Sequence, residues 1–230
     1  MMKSIVELKD RHLGADIWIV AAGPSAGYVD PGFFDHKTTI GVNRVWRDFL
    51  VDYLVVKESQ VFEAAAREGQ RVIGSKHHCG TIGYPLNEAP GEEVYVFDHV
   101  DNGLRKVDLS VIAEAQGRIV VSYSTITSAM HVAAWMGAEN IILVGHDCGS
   151  LDGRLNYEGY PVPLYHQDGF YESFLADIEP QSLAVRQALK ETFGCRVYSL
   201  NPFLNFGLEG WRYVHLTAHP SPRPGVGEAK

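Results

Sequence analysis

Short apolar runs rich in β-branched residues recur along the chain, separated by polar turns and by segments with helical spacing. They predict buried strands at 17–22, 38–42, 52–57, 71–74, 94–97, 118–121, 140–145 and 195–200. Continuous apolar runs of this length fit strands that are covered on both faces. Amphipathic segments predict helices at 44–50, 59–68, 125–136 and 179–193, the last beginning around Pro180. This alternation predicts an α/β fold with a parallel sheet.

Four stretches lack the regular pattern. Residues 75–117, with several glycines and prolines, predict an insertion or flap between sheet elements. Residues 150–178 predict a long loop of the kind that forms lids. Residues 1–15 predict a short leader, and the proline-rich residues 216–230 a disordered tail. We therefore expect one domain over residues 1–215.

Composition narrows the classes of function. The 230 residues allow one sizeable core, and 46% hydrophobic with 21% charged residues is ordinary for a globular protein. The formal charge of −8 argues against nucleic acid and acidic membranes as partners. No apolar run approaches the roughly 20 residues of a membrane span, and the N-terminus carries no signal-peptide core. Three distant cysteines do not predict a disulfide framework, so we expect a cytoplasmic protein.

The first predicted strand runs directly into a turn of small residues, Gly23, Pro24 and Ser25. Gly23 gives the backbone freedom, and Pro24 suits the first position of a helix. Ser25 then falls in a first turn, where free N–H groups and the helix dipole favour an anion. Because the stretch is neither a Walker loop nor GxGxxG, it predicts either a phosphate or nucleotide site or a tight turn without a ligand.

Other predicted strands also end in small, polar or acidic residues, namely Asn43, Lys57-Glu58, Ser124-Thr125 and His146-Asp147. In open parallel sheets, ligands bind beyond the carboxyl ends of the strands, so we expect these residues to share one edge with the turn. Asn43 is either a turn cap or a ligand amide. Asp147 binds a metal–phosphate, orients a ribose or caps a turn. Ser124 and Thr125 are good helix N-caps, and an N-cap that faces the site can also hold phosphate.

Histidines and cysteines add further hypotheses. Residues 77–79 (His-His-Cys), with His146 and Cys148, suggest zinc, but their spacing matches no common zinc pattern, so solvated or core histidines are expected. His166, in the predicted lid, is either a general base or a surface residue. The chain has no Gly-x-Ser-x-Gly nucleophile elbow.

Four motifs occur in a familiar order. They are a (Gly/Ala)-x-Gly-Pro-Ser turn, Thr-Ile-Gly-Val-Asn at 39–43, Ser-Thr at 124–125 followed by Ile-Ile-Leu-Val-Gly-His-Asp at 141–147, and Val-Tyr-Ser-Leu-Asn-Pro at 197–202. Together they resemble the bacterial sialyltransferases of the Campylobacter type. They also resemble the broader family of flagellin-glycosylation proteins and hydroxymethylpterin pyrophosphokinase-like proteins. The resemblance covers about residues 16–205 and depends on the order and spacing of the motifs.

The resemblance implies a Rossmann-like, GT-A-type fold, with helices on both faces of a mostly parallel sheet and a lid. It implies that a nucleotide, in the sialyltransferases a CMP-sugar, faces Ala22, Gly23, Ser25, Asn43 and Thr125. In the sialyltransferases, lid tyrosines hold the phosphate, and a histidine shortly before the last helix is the general base.

This sequence departs from the family pattern at three places. Ala21 replaces the first glycine of the turn, and Lys57-Glu58 replaces an asparagine after the third strand. The catalytic histidine has no counterpart, and Asp177 or Glu179 falls near its position. The nearest counterparts of the lid tyrosines are Tyr157 and Tyr160.

Three functions remain open. The first is a glycosyltransferase with a nucleotide-activated sugar, in which His166, Asp177 or Glu179 is the base and Tyr157, Tyr160 and Arg154 bind the leaving phosphate. The second is a pyrophosphokinase, with Mg²⁺ held by Asp147 and Glu58 and Lys57 near the phosphates. The third is a non-catalytic nucleotide-binding module.

The predicted nucleotide-binding residues are Ala22, Gly23, Pro24, Ser25, Asn43, Lys57, Glu58, Ser124, Thr125 and Asp147, and the predicted catalytic residues are His166, Asp177, Glu179, Tyr157 and Tyr160. Expected partners are a nucleotide or nucleotide sugar and a small-molecule or glycan acceptor, and we allow for a homo-oligomer. Mg²⁺ is expected only for the pyrophosphokinase.

Overall fold

A computed structural model describes residues 2–77, 93–101, 112, 117–121, 124–161 and 170–200. The described strands are β1 (Lys3–Ser4), β2 (Asp16–Val20), β3 (Thr38–Val42), β4 (Tyr53–Val56), β5 (Val72–Ser75), β6 (Val94–Phe97), β7 (His99–Asp101), β8 (Ile119–Val121), β9 (Asn140–Val144) and β10 (Arg196–Ser199). The described α-helices are α1 (Ser59–Arg67), α2 (Thr125–Trp135) and α3 (Phe170–Phe193). Short 3-10 helices cover Ile5–Leu8, Pro24–Tyr28, Pro31–Phe34 and Val45–Arg47.

Eight of these strands form one sheet in the order β1-β6-β5-β4-β3-β2-β9-β10, and every pairing in it is parallel. Strands β7 and β8 form a separate parallel pair. Because β2 lies between β3 and β9, the turn that follows β2 lies at the carboxyl edge of the sheet between the ends of those two strands. The mostly parallel α/β sheet predicted from the sequence is confirmed.

Alternate residues of the central strands pack on opposite faces of the sheet. On one face, Ile17 and Ile141 belong to the same apolar cluster as residues of α2 and α3. On the other face, Trp18 and Ile142 pack with the aromatic residues that follow β2 and β3, such as Phe34. Helix α1 covers the further strands on that second face. Both faces are therefore buried, which explains why the strands read as continuous apolar runs.

Two segments that we did not assign to the main sheet belong to it. The predicted leader contributes β1, which pairs with β6 at one edge of the sheet. The strand β6 falls within the predicted insertion 75–117, yet it lies between β1 and β5 as part of the main sheet. Polar ends and a length of two residues leave β1 without an apolar pattern in the sequence. The predicted tail, 216–230, lies outside the described residues.

Helix α3 begins at Phe170, nine residues before the predicted start at Glu179. The error came from Pro180, which we placed at the first position of a helix and which lies inside α3. Residues 170–178 are thus helical, although we expected them to belong to the lid loop. Within the described ranges, no helix has the length and apolar character that a membrane crossing requires.

Candidate functional site

A cavity of about 260 Å³ opens at the carboxyl edge of the sheet. The ends of β2, β3, β4 and β9 form its floor, the start of α2 forms one side, and the first turns of α3 form another. The predicted residues that line it are Ala22, Gly23, Asn43, Lys57, Glu58, Ser124, Thr125, Asp147 and Tyr160. The strand ends named from the sequence therefore do converge on one concave site.

The turn after β2 is closed by a carboxylate of the protein itself. Oδ2 of Asp147 accepts the backbone N–H of Ser25 at 2.6 Å, and Oδ1 accepts the Ser25 hydroxyl. The residues after the turn form a five-residue 3-10 helix, Pro24–Tyr28, rather than the α-helix start that a phosphate site would use. The backbone N–H and the hydroxyl of Ser25 therefore both donate to Asp147. This geometry favours the tight-turn alternative at this position over the phosphate-binding one.

Two glycines permit this closure. A Cβ at Gly23 would lie 2.4 Å from the Gly145 carbonyl oxygen and 2.6 Å from Asp147 Oδ2. At Gly145, where φ is +68°, a Cβ would lie 2.4 Å from the carbonyl oxygen of Ala21. The close approach of the chain after β2 and after β9 therefore requires glycine at both positions, whether or not a ligand binds. Burial raises the pKa of Asp147, while the hydrogen bonds from Ser25 oppose that shift.

Asn43 offers the cavity an unused acceptor. It follows β3 in the left-handed conformation, with φ of +56°, which asparagine tolerates better than most residues. Its backbone N–H donates to the Val55 carbonyl at 3.0 Å. The side-chain Oδ1 is buried and accepts no hydrogen bond from any residue that the structure describes. An unsatisfied buried acceptor ordinarily costs about 1–3 kcal/mol, so a donor group on a ligand would be favoured here.

Two residues of opposite charge follow β4 and line the cavity. Lys57 and Glu58 line it, and the Glu58 carboxylate is held by Arg44 in a bidentate pair, with Nη1–Oε1 at 3.1 Å and Nη2–Oε2 at 2.7 Å. Arg44 thereby balances the charge of Glu58. Because lysine is protonated at neutral pH, Lys57 adds a positive charge suited to a phosphate or a carboxylate.

Helix α2 starts at the cavity. Ser124 is its N-cap, and the Ser124 hydroxyl accepts the Ile126 N–H at 3.4 Å. Ser124, Thr125 and Ile126 all line the cavity. The eleven-residue helix therefore presents its N-terminal end and its dipole to this space, which favours an anionic group.

The apolar wall of the cavity was missed in the sequence. Tyr171, Phe174, Leu175 and Ile178 line it from α3, and they follow the i, i+3, i+4, i+7 spacing of one helix face. That spacing was a visible signal, but we placed the residues in a loop. Burial raises the pKa of Tyr171, and it raises that of Tyr160 to about 12, so both hydroxyls stay protonated as hydrogen-bond donors.

Other predicted residues lie away from the cavity wall. Pro24 is buried below the turn. Tyr157 is buried beside Phe49, and its hydroxyl donates to Asp48 Oδ2 at 2.6 Å. Asp177 and Glu179 lie on α3, flanking the residues of the apolar wall. His166 lies outside the described residues.

A second polar cluster lies at the end of β9. His146 Nε2 is 2.8 Å from Ser182 Oγ, and Cys148 Sγ is 3.5 Å from the same nitrogen. His146 and Cys148 line the cavity, and Cys148 has φ of +53°. Burial lowers the pKa of His146 to about 4, so its ring is neutral at pH 7. Burial, followed by the charges of Glu179 and Asp147, raises the pKa of Cys148 to about 12, which keeps it a thiol.

The donor set does not fit a metal ion. Across the described part of the chain, no three His, Cys, Asp or Glu side chains come together as a metal site. Asp147 and Glu58, the pair considered for Mg²⁺, are engaged by Ser25 and Arg44. Of the possible zinc ligands at 77–79, only His77 is described, and it packs against His99.

The fold resembles that of the sialyltransferase CstII of Campylobacter jejuni. Its complex with cytidine-5′-monophosphate has a TM-score of 0.54 and 12% identity, with 86% of each chain covered. Its complex with the substrate analogue CMP-3FNeuAc has a TM-score of 0.52 and 12% identity, with 83% of each chain covered. A Cst-II variant bound to CMP has a TM-score of 0.53 and 14% identity, covering 85% of this chain and 86% of that one.

This likeness confirms the GT-A-like sialyltransferase fold that the motifs implied. At 12–14% identity it concerns the fold and does not extend to activity. A comparison with protein-family profiles finds no match, and a comparison with curated protein sequences finds no significant one. The order and spacing of the strand-end motifs thus indicated the fold, although the family-profile and curated-sequence comparisons find no significant match.

Proposed function

We propose that this protein is a glycosyltransferase that uses a nucleotide-activated sugar, with a CMP-sugar-like donor as the substrate class. The observation that carries the proposal is the convergence of an unused buried acceptor, Asn43 Oδ1, a cation, Lys57, and the N-terminus of α2 on one cavity. An amide acceptor suits the N–H or O–H groups of a nucleoside. A lysine and a helix N-terminus suit a single phosphate.

The structural neighbours add support from their ligands. The CstII structures contain CMP or CMP-3FNeuAc, and one Cst-II structure contains CMP with a trisaccharide acceptor. Their fold extends over more than four fifths of this chain. The proposal therefore includes a glycan or another hydroxyl-bearing small molecule as the acceptor.

The pyrophosphokinase alternative is not favoured. It requires carboxylates that are available to hold Mg²⁺ beside a triphosphate. Asp147 instead accepts two hydrogen bonds from Ser25, and Glu58 is paired with Arg44. We therefore assign no step of the reaction to a metal ion.

Thermal unfolding with a panel of nucleotides tests the proposal. CMP and CDP are expected to raise the melting temperature, and ATP or GTP with Mg²⁺ to leave it unchanged. A ligand at 100 times its Kd stabilises the folded state by about 2.7 kcal/mol, which is a shift of several degrees. Release of CMP from CMP-N-acetylneuraminate, in the presence of lactose as a trial acceptor, then measures turnover.

Asn43→Gly is the diagnostic variant because glycine adopts a φ of +56° without strain and removes only the side chain. It is expected to weaken CMP binding about tenfold, as one lost hydrogen bond would. Asn140→Ala, at the amino end of β9 on the opposite edge of the sheet, is the control and should bind CMP as wild type does. Absence of stabilisation by any nucleotide would refute the proposed function.

A further inference from the structure

A second cavity, of about 150 Å³, lies beside the cavity described above. It opens between the 3-10 helix Val45–Arg47, which follows β3, and the first turns of α1, which follows β4. Arg44 lines the second cavity and Glu58 lines the first, so the ion pair between them stands between the two spaces. The residues that line the second cavity are Arg44, Trp46, Arg47, Gln60, Val61 and Ala64.

The polar groups on the wall of the second cavity are mostly hydrogen-bond donors. Arg44 and Arg47 carry guanidinium groups, which donate and cannot accept, and the indole of Trp46 is also a donor only. Gln60 adds an amide, and none of the described lining residues is acidic. The second cavity therefore suits a ligand that is rich in acceptors and negatively charged.

One of these donors has no acceptor among the described residues. Trp46 Nε1 is buried, and it donates to no residue that the structure describes. A buried donor without an acceptor lowers the stability of the fold, so an acceptor atom that enters beside it is bound favourably. The ring of Trp46 thus brings an unused N–H to the wall of the second cavity.

Arg47 is held by contacts that a ligand can replace. Its guanidinium carbon lies 4.5 Å from the centroid of the Trp46 ring, which keeps the guanidinium beside the indole. The ion pair between Arg47 and Glu68 has an N–O distance of 3.6 Å, and the two side chains are 49% and 52% exposed. Because exposed pairs of this kind contribute little stability, a bound anion can take the place of Glu68 at small cost.

Helix α1 adds a positive potential to the same space. Gln60 and Val61 lie in its first turn, and the N-cap, Glu58, makes no side-chain hydrogen bond to that turn. The positive end of the helix dipole therefore lies at the second cavity. Arg47 and Trp46 contribute donors from the 3-10 helix, and α1 contributes its potential from the other wall. A tetrahedral phosphate presents oxygens in several directions, whereas a carboxylate presents two oxygens in one plane.

We propose that the second cavity binds a phosphate group, with the Arg47 guanidinium as the main ligand and the Trp46 N–H as a further donor. The source of the group is either inorganic phosphate or the phosphate of a larger molecule. The site includes neither Asn43 nor Lys57, the side chains of the first cavity to which we assign nucleotide contacts. The proposal therefore does not depend on the proposed glycosyltransferase function.

The indole N–H resonance of Trp46 in a ¹H–¹⁵N NMR spectrum of the full chain measures occupancy. Titration with inorganic phosphate and with glucose 6-phosphate should shift it saturably, with a Kd of about 1 mM or lower. Glucose, and sodium chloride at matched ionic strength, should leave it in place. Tighter binding of glucose 6-phosphate indicates the phosphate of a larger molecule, and equal or weaker binding indicates inorganic phosphate. Trp46→Phe identifies the resonance, because phenylalanine keeps an aromatic ring without the N–H.

Arg47→Gln is the diagnostic variant, because glutamine stays polar but loses the charge. It should bind phosphate at least about tenfold more weakly than wild type. Arg67→Gln is the matched control, since Arg67 lies on α1, forms an exposed ion pair with Glu63 and does not line the second cavity; its Kd should stay within about twofold of wild type. Trp46→Phe should weaken binding about fivefold, as measured from the backbone amide resonance of Gln60.

Three results would overturn the proposal. If neither phosphate compound shifts the Trp46 indole resonance saturably, the second cavity does not bind phosphate. If Arg47→Gln and Arg67→Gln bind phosphate equally well, Arg47 is not the ligand. If glucuronate binds more tightly than glucose 6-phosphate, the cavity recognises a carboxylate instead. These titrations contain no CMP, so each result leaves the test of the proposed function unaffected.

Discussion

Two buried histidines should make this fold sensitive to mild acid. His131 is 1% exposed, and its Nδ1 accepts the backbone N–H of Val120 at 3.0 Å. His146 is buried against Ser182. For both, burial lowers the pKa from 6.5 to about 4. Each must therefore gain a proton when the chain unfolds in weak acid, and that proton uptake favours the unfolded state.

The size of the effect follows from the shift. Between pH 6.5 and pH 4 the unfolded chain binds protons that the folded chain does not, so the free energy of unfolding falls as the pH falls through that window. One pKa unit corresponds to about 1.4 kcal/mol, which gives about 3 kcal/mol per histidine below pH 4. At pH 5 relative to pH 7.5, the loss is about 2 kcal/mol for each and about 4 kcal/mol for both.

His131→Asn isolates one of these contributions. The amide oxygen of asparagine can replace Nδ1 as the acceptor for Val120, and it does not titrate. The smaller side chain lowers stability at every pH by a packing cost that cancels when two pH values are compared. The difference in the free energy of unfolding between pH 7.5 and pH 5.0 is expected to be about 2 kcal/mol smaller than in wild type. Urea unfolding followed by tryptophan fluorescence measures it.

Burial of Asp147 acts in the opposite direction. Its pKa is raised in the folded state, so lowering the pH stabilises the folded form through this group. That term is common to wild type and His131→Asn, and it cancels in the comparison. If His131→Asn keeps the full wild-type difference between the two pH values, the reasoning from buried neutral histidine is refuted.

Three further predictions concern the architecture of the site. Gly23→Ala should lower the free energy of unfolding by more than about 2 kcal/mol, because its Cβ meets backbone, whereas Gly149→Ala, which has room, should leave the melting temperature within about 2 °C. Pro180→Ala should raise the free energy of unfolding by about 1–2 kcal/mol, since proline inside a helix forfeits a hydrogen bond; a decrease would place Pro180 at a helix start. Glu58→Gln should cost about 1 kcal/mol, and Glu63→Gln, whose partner Arg67 is 66% exposed where Arg44 is 21% exposed, less than about 0.5 kcal/mol; equal costs in urea unfolding would contradict this ranking.

The strands of the central sheet were predictable because their burial on both faces leaves a continuous apolar, β-branched run in the sequence. Strands β3 and β6 were predicted with the bounds that the structure has. Their carboxyl ends could also be placed on one edge, since parallel strands share that edge. Strand order was not predictable in this way, because pairing between distant segments leaves no local signal.

The long-range contacts within the candidate site could not be predicted from local sequence. Ser25 and Asp147 are 122 positions apart, and their contact exists only because β2 and β9 are neighbours in the sheet. A turn of small residues with a serine has the same sequence pattern whether a ligand or a protein carboxylate accepts the hydrogen bonds of the serine. The apolar wall formed by α3 was missed for a different reason. Its residues have helical spacing, but we took Pro180 as the start of the helix and so placed them in the preceding loop.

The turn after β2, which is held by the hydrogen bonds from Ser25 to Asp147, separates two sides of the cavity. In the strand order β4-β3-β2-β9, Asn43 and Lys57 lie to one side of the turn, and His146 lies to the other. Because the Ser25 donors are bound to Asp147, the nucleotide contacts that we propose, Asn43 Oδ1 and Lys57, lie on the β3–β4 side. Changes at Asn43 or Lys57 should then weaken CMP binding, whereas changes at His146 should have little effect on CMP binding. Equal losses of CMP affinity in Asn43→Gly and His146→Gln would contradict this division.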